Sequence, residues 1–229
     1  MSPVVDGKIH HFGARGLYNG LFLLGDQESG SFWDHITGEC VYGPLKGHRL
    51  DVFPLLHTNV ARALASHPDV RIAISKQSLI QKFMSFVMER GRRSRKGLLP
   101  PGFKRTMGEE DTRRPRMDIG LCVWTGAAHR YYPLERLHEV NGALIDEFEG
   151  RRLLVYIDPV SKIPTASYTD ATGWSWQGGE LLLDTGEVIR EGTLFGSQGQ
   201  ETAIRSPLQL FSRWYGCAYT FPGCEIYGD

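Results

Sequence analysis

A thiol, two imidazoles and a carboxylate lie close together near the start of the sequence. Asp34, His35, Cys40 and His48 fall within 15 residues. A cysteine with a neighbouring base and carboxylate could act as a nucleophile or redox group, and cysteine with histidine could hold zinc. The structural alternative is a turn built by Asp34 and His35 beside a packed Trp33, with the thiol in a strand core. Because a cysteine is reactive only when it is exposed and its pKa is lowered, the sequence leaves both interpretations open.

Histidines supply the candidates for a metal site. His10 and His11 are adjacent, but neighbouring residues on a strand point to opposite faces and cannot easily share one ion. The metal-ligand candidates are therefore His10, His35 and His48, each of which needs further ligands from elsewhere in the fold. Because no spacing identifies those ligands, the sequence predicts no particular metal or cofactor.

A second kind of site is suggested by the segment Gly-Leu-Tyr-Asn-Gly. Its Tyr18 and Asn19 would be exposed beside backbone donors, which suits the orientation of a small polar ligand. The structural alternative is a loop in which Asn19 takes a positive φ angle. The predicted ligand-binding residues are Tyr18, Asn19, Trp33, Asp34, His35 and Tyr132.

The middle of the chain carries a basic segment. Residues 82–116 contain 11 Lys and Arg side chains against 4 Asp and Glu, a charge that could bind phosphate or nucleic acid. From Arg90 to Arg116, however, Phe103 is the only aromatic residue, and no nucleic-acid-binding motif accompanies the charge. A nucleic-acid partner is therefore not expected. A solvated loop and a docking segment for another partner are the alternatives.

The elements that must hold these residues are short and mostly strands. The 27 glycines divide the chain into apolar segments of strand length. A hairpin is predicted around Glu149-Gly150-Arg151, which supplies turn residues between two apolar stretches. Helices are predicted after Thr58, over residues 79–87, after Pro133 and over residues 208–215. These patterns favour an α+β fold that is rich in β structure and has a few short helices.

A repeated pattern suggests an internal duplication. Thr37-Gly38-Glu39 recurs as Thr185-Gly186-Glu187, in each case after a tryptophan segment and before a helix. We therefore expect one domain with two pseudo-repeated halves. The first half spans residues 1–76, a helix and the basic connector span 77–116, and the second half spans 117–229.

Composition excludes several classes of protein. The chain has 229 residues with 26 basic and 26 acidic side chains, so no overall charge attracts it to nucleic acid or anionic lipid. No apolar run reaches the roughly 20 residues of a membrane-spanning helix, and the first residues lack a secretory signal pattern, so the cytoplasm is the expected location. Nucleotide-binding glycine loops and the common hydrolase and metalloprotease motifs are absent. Four cysteines without a C-x-x-C pair are expected to be free thiols.

Several motifs resemble those of a known family. The segment GLYNGLFLLGDQESGSFWDHITGECVYGPLKGHRL is followed, in order, by DTRRPRM, AHRYYPLERL, DEFEGRRLLVYIDP and RWYGCAYTFPGCEIY. Over almost the whole chain these stretches resemble the bacterial and archaeal family called domain of unknown function 3179, for which the resemblance implies no established activity. Members usually carry an upstream C-P-L-C cysteine pair. This chain has no such pair, so the resemblance does not support chemistry by those thiols.

These observations favour a binding protein. We expect a small polar or metal-bound ligand in a cleft between the two β-rich halves, because duplicated halves commonly leave a groove there. The first alternative is an enzyme that uses Cys40, His35 and Asp34 in nucleophilic or redox chemistry. The second is a partner-binding module that acts through the basic connector. A small-molecule ligand is expected and a membrane partner is not, and the sequence leaves the oligomeric state open.

Overall fold

The computed structural model describes residues 1–74, 78, 80–82, 85, 99 and 101–229. Within these residues the chain forms five β-sheets and four helices of defined bounds. The helices are α1 (Val60–Ser66), α2 (Pro101–Thr106), α3 (Leu134–Glu139) and α4 (Trp214–Thr220). Short helices among many strands confirm the predicted β-rich α+β fold class.

The described residues form two compact units. The first contains Met1–Phe53, the described part of 89–118 and Arg213–Gly223, and the second contains the described part of 54–88, Ile119–Ser212 and Cys224–Asp229. Each unit is discontinuous in sequence, whereas the predicted halves are continuous segments. The predicted boundaries stay a prediction.

Antiparallel strands build the first unit. A two-stranded sheet pairs β1 (Val4–Val5) with β2 (Lys8–Ile9). A four-stranded sheet follows in chain order, with β3 (Phe12–Tyr18), β4 (Leu21–Asp26), β5 (Phe32–Asp34) and β6 (Cys40–Tyr42). Each strand pairs with the next along the chain, which is the arrangement that short connecting turns favour.

Trp33 forms the centre of the first unit's core. Its side chain is fully buried and packs with Val5, Cys40 and Leu50. The ring of Phe12 meets the indole edge-on, with centroids 5.8 Å apart, a favourable geometry for two aromatic rings. The core of this unit is therefore built around Trp33 of β5, which is followed in the chain by the candidate site residues Asp34 and His35.

Three sheets build most of the second unit. One sheet has the order β11 (Pro164–Tyr168), β10 (Arg151–Ile157) and β9 (Ala143–Phe148). A second sheet contains, in chain order, β12 (Trp174–Gln177), β13 (Glu180–Leu183), β14 (Val188–Arg190), β15 (Thr193–Phe195) and β16 (Glu201–Thr202). The third has the order β17 (Leu208–Arg213), β7 (Ile119–Trp124), β8 (His129–Pro133) and β18 (Glu225–Ile226), with β18 parallel to β8.

Strand β10 is buried on both faces, which explains its uninterrupted apolar sequence. Leu153, Val155 and Ile157 belong to one hydrophobic cluster. Leu154 and Tyr156, which point to the opposite face, belong to another cluster. A strand covered on both sides has no polar face, so its residues do not alternate between apolar and polar.

Local signals for turns and helix starts are confirmed in several places. Glu149 and Gly150, with φ of +51° and +69°, form the turn between β9 and β10. Helix α1 begins near Thr58 as predicted, although Asn59 caps it, and α3 follows Pro133. The helix predicted over residues 79–87 lies mostly outside the described residues.

The prediction of a helix over residues 208–215 is wrong. Residues Leu208–Arg213 form strand β17, and α4 begins only at Trp214. The amide of Gln209 accepts a hydrogen bond from Ala166 N at 2.7 Å and donates one to Ala166 O at 3.1 Å. Strand β17 also pairs with β7, and these long-range contacts outweigh the helix-start signal of Ser206-Pro207.

Both copies of the Thr-Gly-Glu motif form turns. Gly38, with φ +73°, lies between β5 and β6, and Gly186, with φ +85°, lies between β13 and β14. A positive φ at this position explains the glycine in each copy. Such turns are common in antiparallel sheets, and the internal duplication stays a prediction.

The cysteines differ from the sequence-based expectation of four free thiols. Cys122 and Cys217 are disulfide-bonded, while Cys40 and Cys224 are buried cysteines outside any disulfide. Sequence spacing could not indicate this, because Cys122 and Cys217 are 95 positions apart in the chain. Separately, none of the helices in the described part of the chain is long and apolar enough to cross a membrane.

Candidate functional site

Asp26 is a buried carboxylate at the end of β4, with 3% of its surface exposed. Trp33 Nε1 donates to its Oδ2 at 2.7 Å. Ser29 donates through its backbone N–H at 2.6 Å and through its hydroxyl at 2.7 Å. His10 Nδ1 lies 3.2 Å from Oδ1. Three residues thus surround the carboxylate with donors, as a buried charge requires.

These contacts hold Asp26 in its ionised form. Burial alone raises the pKa of the carboxyl, but the hydrogen bonds from Ser29, Trp33 and His10 outweigh it and lower the pKa to about 2. An ionised carboxylate can only accept hydrogen bonds. His10 Nδ1 therefore carries the proton in this contact.

His10, Asp26 and Glu28 converge on one position. One potential ligand atom from each lies within 4.8 Å of the other two, and no other such group of three His, Cys, Asp or Glu occurs among the described residues. Glu28 also contacts the neighbouring histidine, since its Oε2 accepts from His11 N at 2.8 Å and its Oε1 lies 2.6 Å from His11 Nδ1. This cluster combines one imidazole with two carboxylates, which is a common ligand set for divalent metal ions.

A cavity of about 570 Å³ lies beside the end of β4. Its lining includes Arg15, Asp26 and Gln27 as polar residues. The Arg15 side chain lies against Gly25 so closely that a Cβ there would collide with it. Glycine at that position therefore leaves room for the aliphatic part of the Arg15 side chain. The full lining is Arg15, Gly25, Asp26, Gln27, Gly30 and Phe32.

Asp34, a predicted catalytic and ligand-binding residue, stabilises its own turn. Its Oδ1 accepts from Ile36 N at 2.8 Å, from Thr37 N at 2.7 Å and from the Thr37 hydroxyl at 3.0 Å. The carboxylate is half-buried. This arrangement matches the structural alternative, in which the residue shapes the loop that follows β5.

The side chains of His35 and Cys40 contact different residues. The His35 Nδ1 atom is buried and has no hydrogen-bond partner among the described residues, and its ring meets Phe22 edge-on with centroids 6.5 Å apart. Cys40 is buried, its Sγ lies 3.4 Å from Tyr42 O, and burial raises the pKa of its thiol. A thiol with a raised pKa is a poor nucleophile at neutral pH. No hydrogen bond joins these two side chains to each other within the described part of the chain.

Tyr18 and Asn19 lie at the turn between β3 and β4. Asn19 and Gly20 have φ of +51° and +72°, which are the conformations of a tight two-residue hairpin turn. Tyr18 is 55% exposed. Asn19 N donates to Thr106 O at 3.0 Å, so the turn is anchored on α2. A role for the two side chains in ligand binding stays a prediction.

Trp33 and Tyr132 are buried side chains of different units. Trp33 contributes its indole N–H to Asp26, so its polar role is to position that carboxylate. Tyr132 is fully buried, and its hydroxyl donates to Asp146 Oδ2 at 2.8 Å. Burial, followed by the charge of Asp146, raises the pKa of Tyr132. Its ring stacks on Tyr227 with centroids 5.5 Å apart.

The remaining predicted residues are His48 and those of the basic connector. His48 Nδ1 lies 3.0 Å from Leu45 O, and its Nε2 is 3.9 Å from an exposed Asp6 carboxylate. The basic residues 90–96 lie outside the described residues. Further on, three arginines form ion pairs: Arg113 with Asp111, Arg114 with Asp118 and Arg116 with Glu110.

Sequence reasoning identified His10 but missed its two partners. Asp26 and Glu28 are 16 and 18 positions away in the chain. Asp26 ends β4 and Glu28 follows it, and the pairing of β4 with β3 brings both near His10. One signal was available. An Asp before a Gly-Ser turn is part of the motif that carries the family resemblance, and a carboxylate in such a turn is a possible metal ligand.

Comparison with known proteins agrees with the resemblance noted in the sequence. No curated protein and no solved structure matches the chain. The family model described as "Protein of unknown function (DUF3179)" matches residues 2–204. Because this match covers most of the chain, including β3 to β6 and the cluster around Asp26, the protein belongs to the DUF3179 family.

Proposed function

We propose that this protein binds a divalent transition-metal ion at His10, Asp26 and Glu28 and recognises a small polar ligand through that ion. The observation that carries the proposal is the convergence of the three ligand atoms within 4.8 Å. The proposal retains the small polar or metal-bound ligand expected from the sequence. It assigns that ligand to the first unit alone.

Distances within the cluster support a shared ion. Two ligand atoms of one tetrahedral metal lie roughly 3.3 Å apart when each bond is about 2.0 Å long. His10 Nδ1 and Asp26 Oδ1 are 3.2 Å apart. A metal ion would replace the proton that these two atoms share.

The donor set favours Zn²⁺ or Mn²⁺ over Mg²⁺ and Ca²⁺. An imidazole ligand suits transition metals, whereas Mg²⁺ and Ca²⁺ prefer oxygen ligands alone. Three protein ligands leave at least one coordination position for a ligand from solution.

Metal binding should depend on pH because a proton must leave. His10 has to release its Nδ1 proton or shift it to Nε2 before that nitrogen can ligate. Asp26 is already ionised across the neutral range, since its pKa is about 2. Zn²⁺ binding should therefore displace the proton of His10 Nδ1 and none from Asp26.

Elemental analysis and a metal titration test the proposal. Protein purified without added metal is analysed by mass spectrometry, and the EDTA-stripped full chain is titrated with Zn²⁺, Mn²⁺ and Mg²⁺ by calorimetry. We expect one site per chain for Zn²⁺ or Mn²⁺. The variants His10→Gln and Glu28→Gln should each weaken binding at least about tenfold.

His48→Gln is the matched control. His48 also has a carboxylate nearby, at 3.9 Å, but no third ligand joins it in the described residues. Its substitution should change the affinity less than about twofold. Equal losses in the His10 and His48 variants, or a chain that binds none of the three metals, would refute the proposal.

A further inference from the structure

Arg62 is a buried cation in the second unit. It lies in the first half of α1 and is 6% exposed. Asn59 caps this helix by accepting from Arg62 N at 2.9 Å. The Asn59 amide also donates to Val160 O at 3.3 Å. The backbone that carries the guanidinium is therefore held in place, and a buried arginine held in this way needs partners for its charge.

The contacts of the guanidinium leave it incompletely satisfied. Nη2 donates to Gly192 O. Nε is buried and has no hydrogen-bond partner within the described residues, although it forms a buried ion pair with Asp158, whose Oδ2 is 3.7 Å away. The other oxygen of that carboxylate, Oδ1, accepts from Val160 N at 3.0 Å and Ser161 N at 2.6 Å. Guanidinium has five N–H donors, so capacity remains for another acceptor.

A hairpin turn shapes the surroundings of Arg62. Glu191 and Gly192 connect β14 with β15 and have φ of +49° and +72°. A Cβ on Gly192 would collide with the Arg62 guanidinium and with the Asp158 carboxylate. Glycine is thus required both by the backbone conformation and by the close approach of the two charged groups.

A cavity of about 580 Å³ opens beside this arginine. Arg62 is part of its wall, and four residues with hydroxyl side chains also line it, namely Thr58, Ser66, Thr193 and Thr202. A cavity wall that combines a buried cation, hydroxyl-bearing residues and apolar side chains has the composition of a site for a small acidic molecule.

We propose that this cavity binds a small monocarboxylate, with Arg62 as the anchor for the carboxylate group. The planar guanidinium fork matches a carboxylate in geometry and charge. Glu191 and Glu201 also belong to the lining, and both are exposed. Their negative charge at the cavity edge disfavours a dianion such as phosphate and is compatible with a singly charged ligand.

The site is independent of the proposed metal site. All of its residues belong to the second unit, whereas His10, Asp26 and Glu28 belong to the first. Failure of either proposal would leave the other unchanged, because the two tests use different probes and different variants.

A titration followed by NMR tests the carboxylate site. The full-length ¹⁵N-labelled chain is titrated with sodium acetate, sodium phosphate or sodium chloride at constant ionic strength. We expect acetate to shift the amide resonances of Gly192 and Thr193 along a saturating curve, phosphate to bind at least about threefold more weakly, and chloride to give no saturation. Tighter binding of phosphate than of acetate, or identical linear shifts with acetate and chloride, would overturn the proposal.

Variants identify the anchor. Arg62→Lys keeps the charge but removes the planar fork and should weaken acetate binding about tenfold. Thr193→Val removes one wall hydroxyl with little change in shape and should weaken acetate binding about threefold. This second variant keeps the test valid if Arg62→Lys does not fold. Arg136→Gln, in the exposed Arg136–Glu139 pair of α3, is the control and should leave acetate binding unchanged. Unchanged acetate binding in Thr193→Val and in a folded Arg62→Lys would show that the anion binds elsewhere.

Discussion

Asp26 shows how a single buried charge is made compatible with a small core. Its carboxylate accepts from Ser29, Trp33 and His10, and its neighbour Trp33 is the centre of the hydrophobic cluster. The hydrogen bonds offset the cost of removing the charge from water. The same residue therefore has two roles, as the polar partner of the core tryptophan and as a proposed metal ligand.

The lowered pKa of Asp26 predicts an acid-dependent stability. The folded-state pKa is about 2, below the unfolded value of about 3.9, so the stabilisation is complete above pH 5 and is lost as the pH falls towards 2. We expect Asp26→Asn to reduce the free energy of unfolding by about 2 kcal/mol at pH 7 and by much less near pH 2. Urea unfolding in EDTA, followed by tryptophan fluorescence, measures this difference.

The exposed Asp51 provides a control for the acid dependence. Asp51→Asn should shift the unfolding free energy by less than about 0.5 kcal/mol at either pH. A loss in Asp26→Asn that stays the same from pH 7 to pH 2 would contradict the role given to the ionised carboxylate.

Cys40 should react slowly with alkylating reagents. Burial raises the pKa of its thiol, and its surface is 1% exposed. We expect iodoacetamide at pH 7.5 to label Cys40 in the folded chain at least about a hundredfold more slowly than in urea. Peptide mass spectrometry measures both rates. Rapid and selective labelling of Cys40 in the folded chain would instead support the enzyme hypothesis built on Cys40, His35 and Asp34.

At the scale of elements, a side-chain amide substitutes for a missing strand partner. Gln209 on β17 is 4% exposed and exchanges two hydrogen bonds with the backbone of Ala166 on β11. The two strands belong to different sheets of the second unit. The amide therefore satisfies backbone groups that no strand covers.

Removing this amide should destabilise the fold. Gln209→Leu leaves the buried N–H and C=O of Ala166 without partners, and we expect it to reduce the free energy of unfolding by about 2 kcal/mol. Gln177→Leu, at an exposed position of β12, is the control and should change it by less than about 0.5 kcal/mol. Urea unfolding followed by circular dichroism compares the two. Equal effects would show that the Gln209 hydrogen bonds contribute little.

At the scale of the whole molecule, the cysteines bear on where the protein functions. Cys122 and Cys217 are disulfide-bonded, and disulfides persist mainly in oxidising compartments. The cytoplasm was the expectation from the sequence. The oxidation state of these two cysteines in the native cell is therefore a direct test of that expectation.

A thiol count performs this test. In urea and without a reductant, we expect two reactive thiols per chain, from Cys40 and Cys224, and four after reduction, since the chain has four cysteines. The measurement uses protein from its native cells, trapped with alkylating reagent at lysis. Four thiols before reduction would show that Cys122 and Cys217 are reduced in the cell and would favour the cytoplasm.

The sequence by itself determined the features that depend on neighbouring residues. The Glu149-Gly150 turn, the start of α3 after Pro133 and the β-rich composition were all predictable, because backbone conformation and hydrophobic pattern act over a few residues. His10 could be selected as a possible ligand from its residue type alone.

Only the tertiary structure decided which distant residues meet. Asp26 and Glu28 reach His10 because β3 and β4 pair as a hairpin. Gln209 lies in a strand because β17 pairs with β7, and its amide meets Ala166, 43 positions away. Arg62 meets Gly192 across 130 positions. Such contacts depend on long-range packing and on the need to satisfy buried polar groups, and neither leaves a local pattern in the sequence.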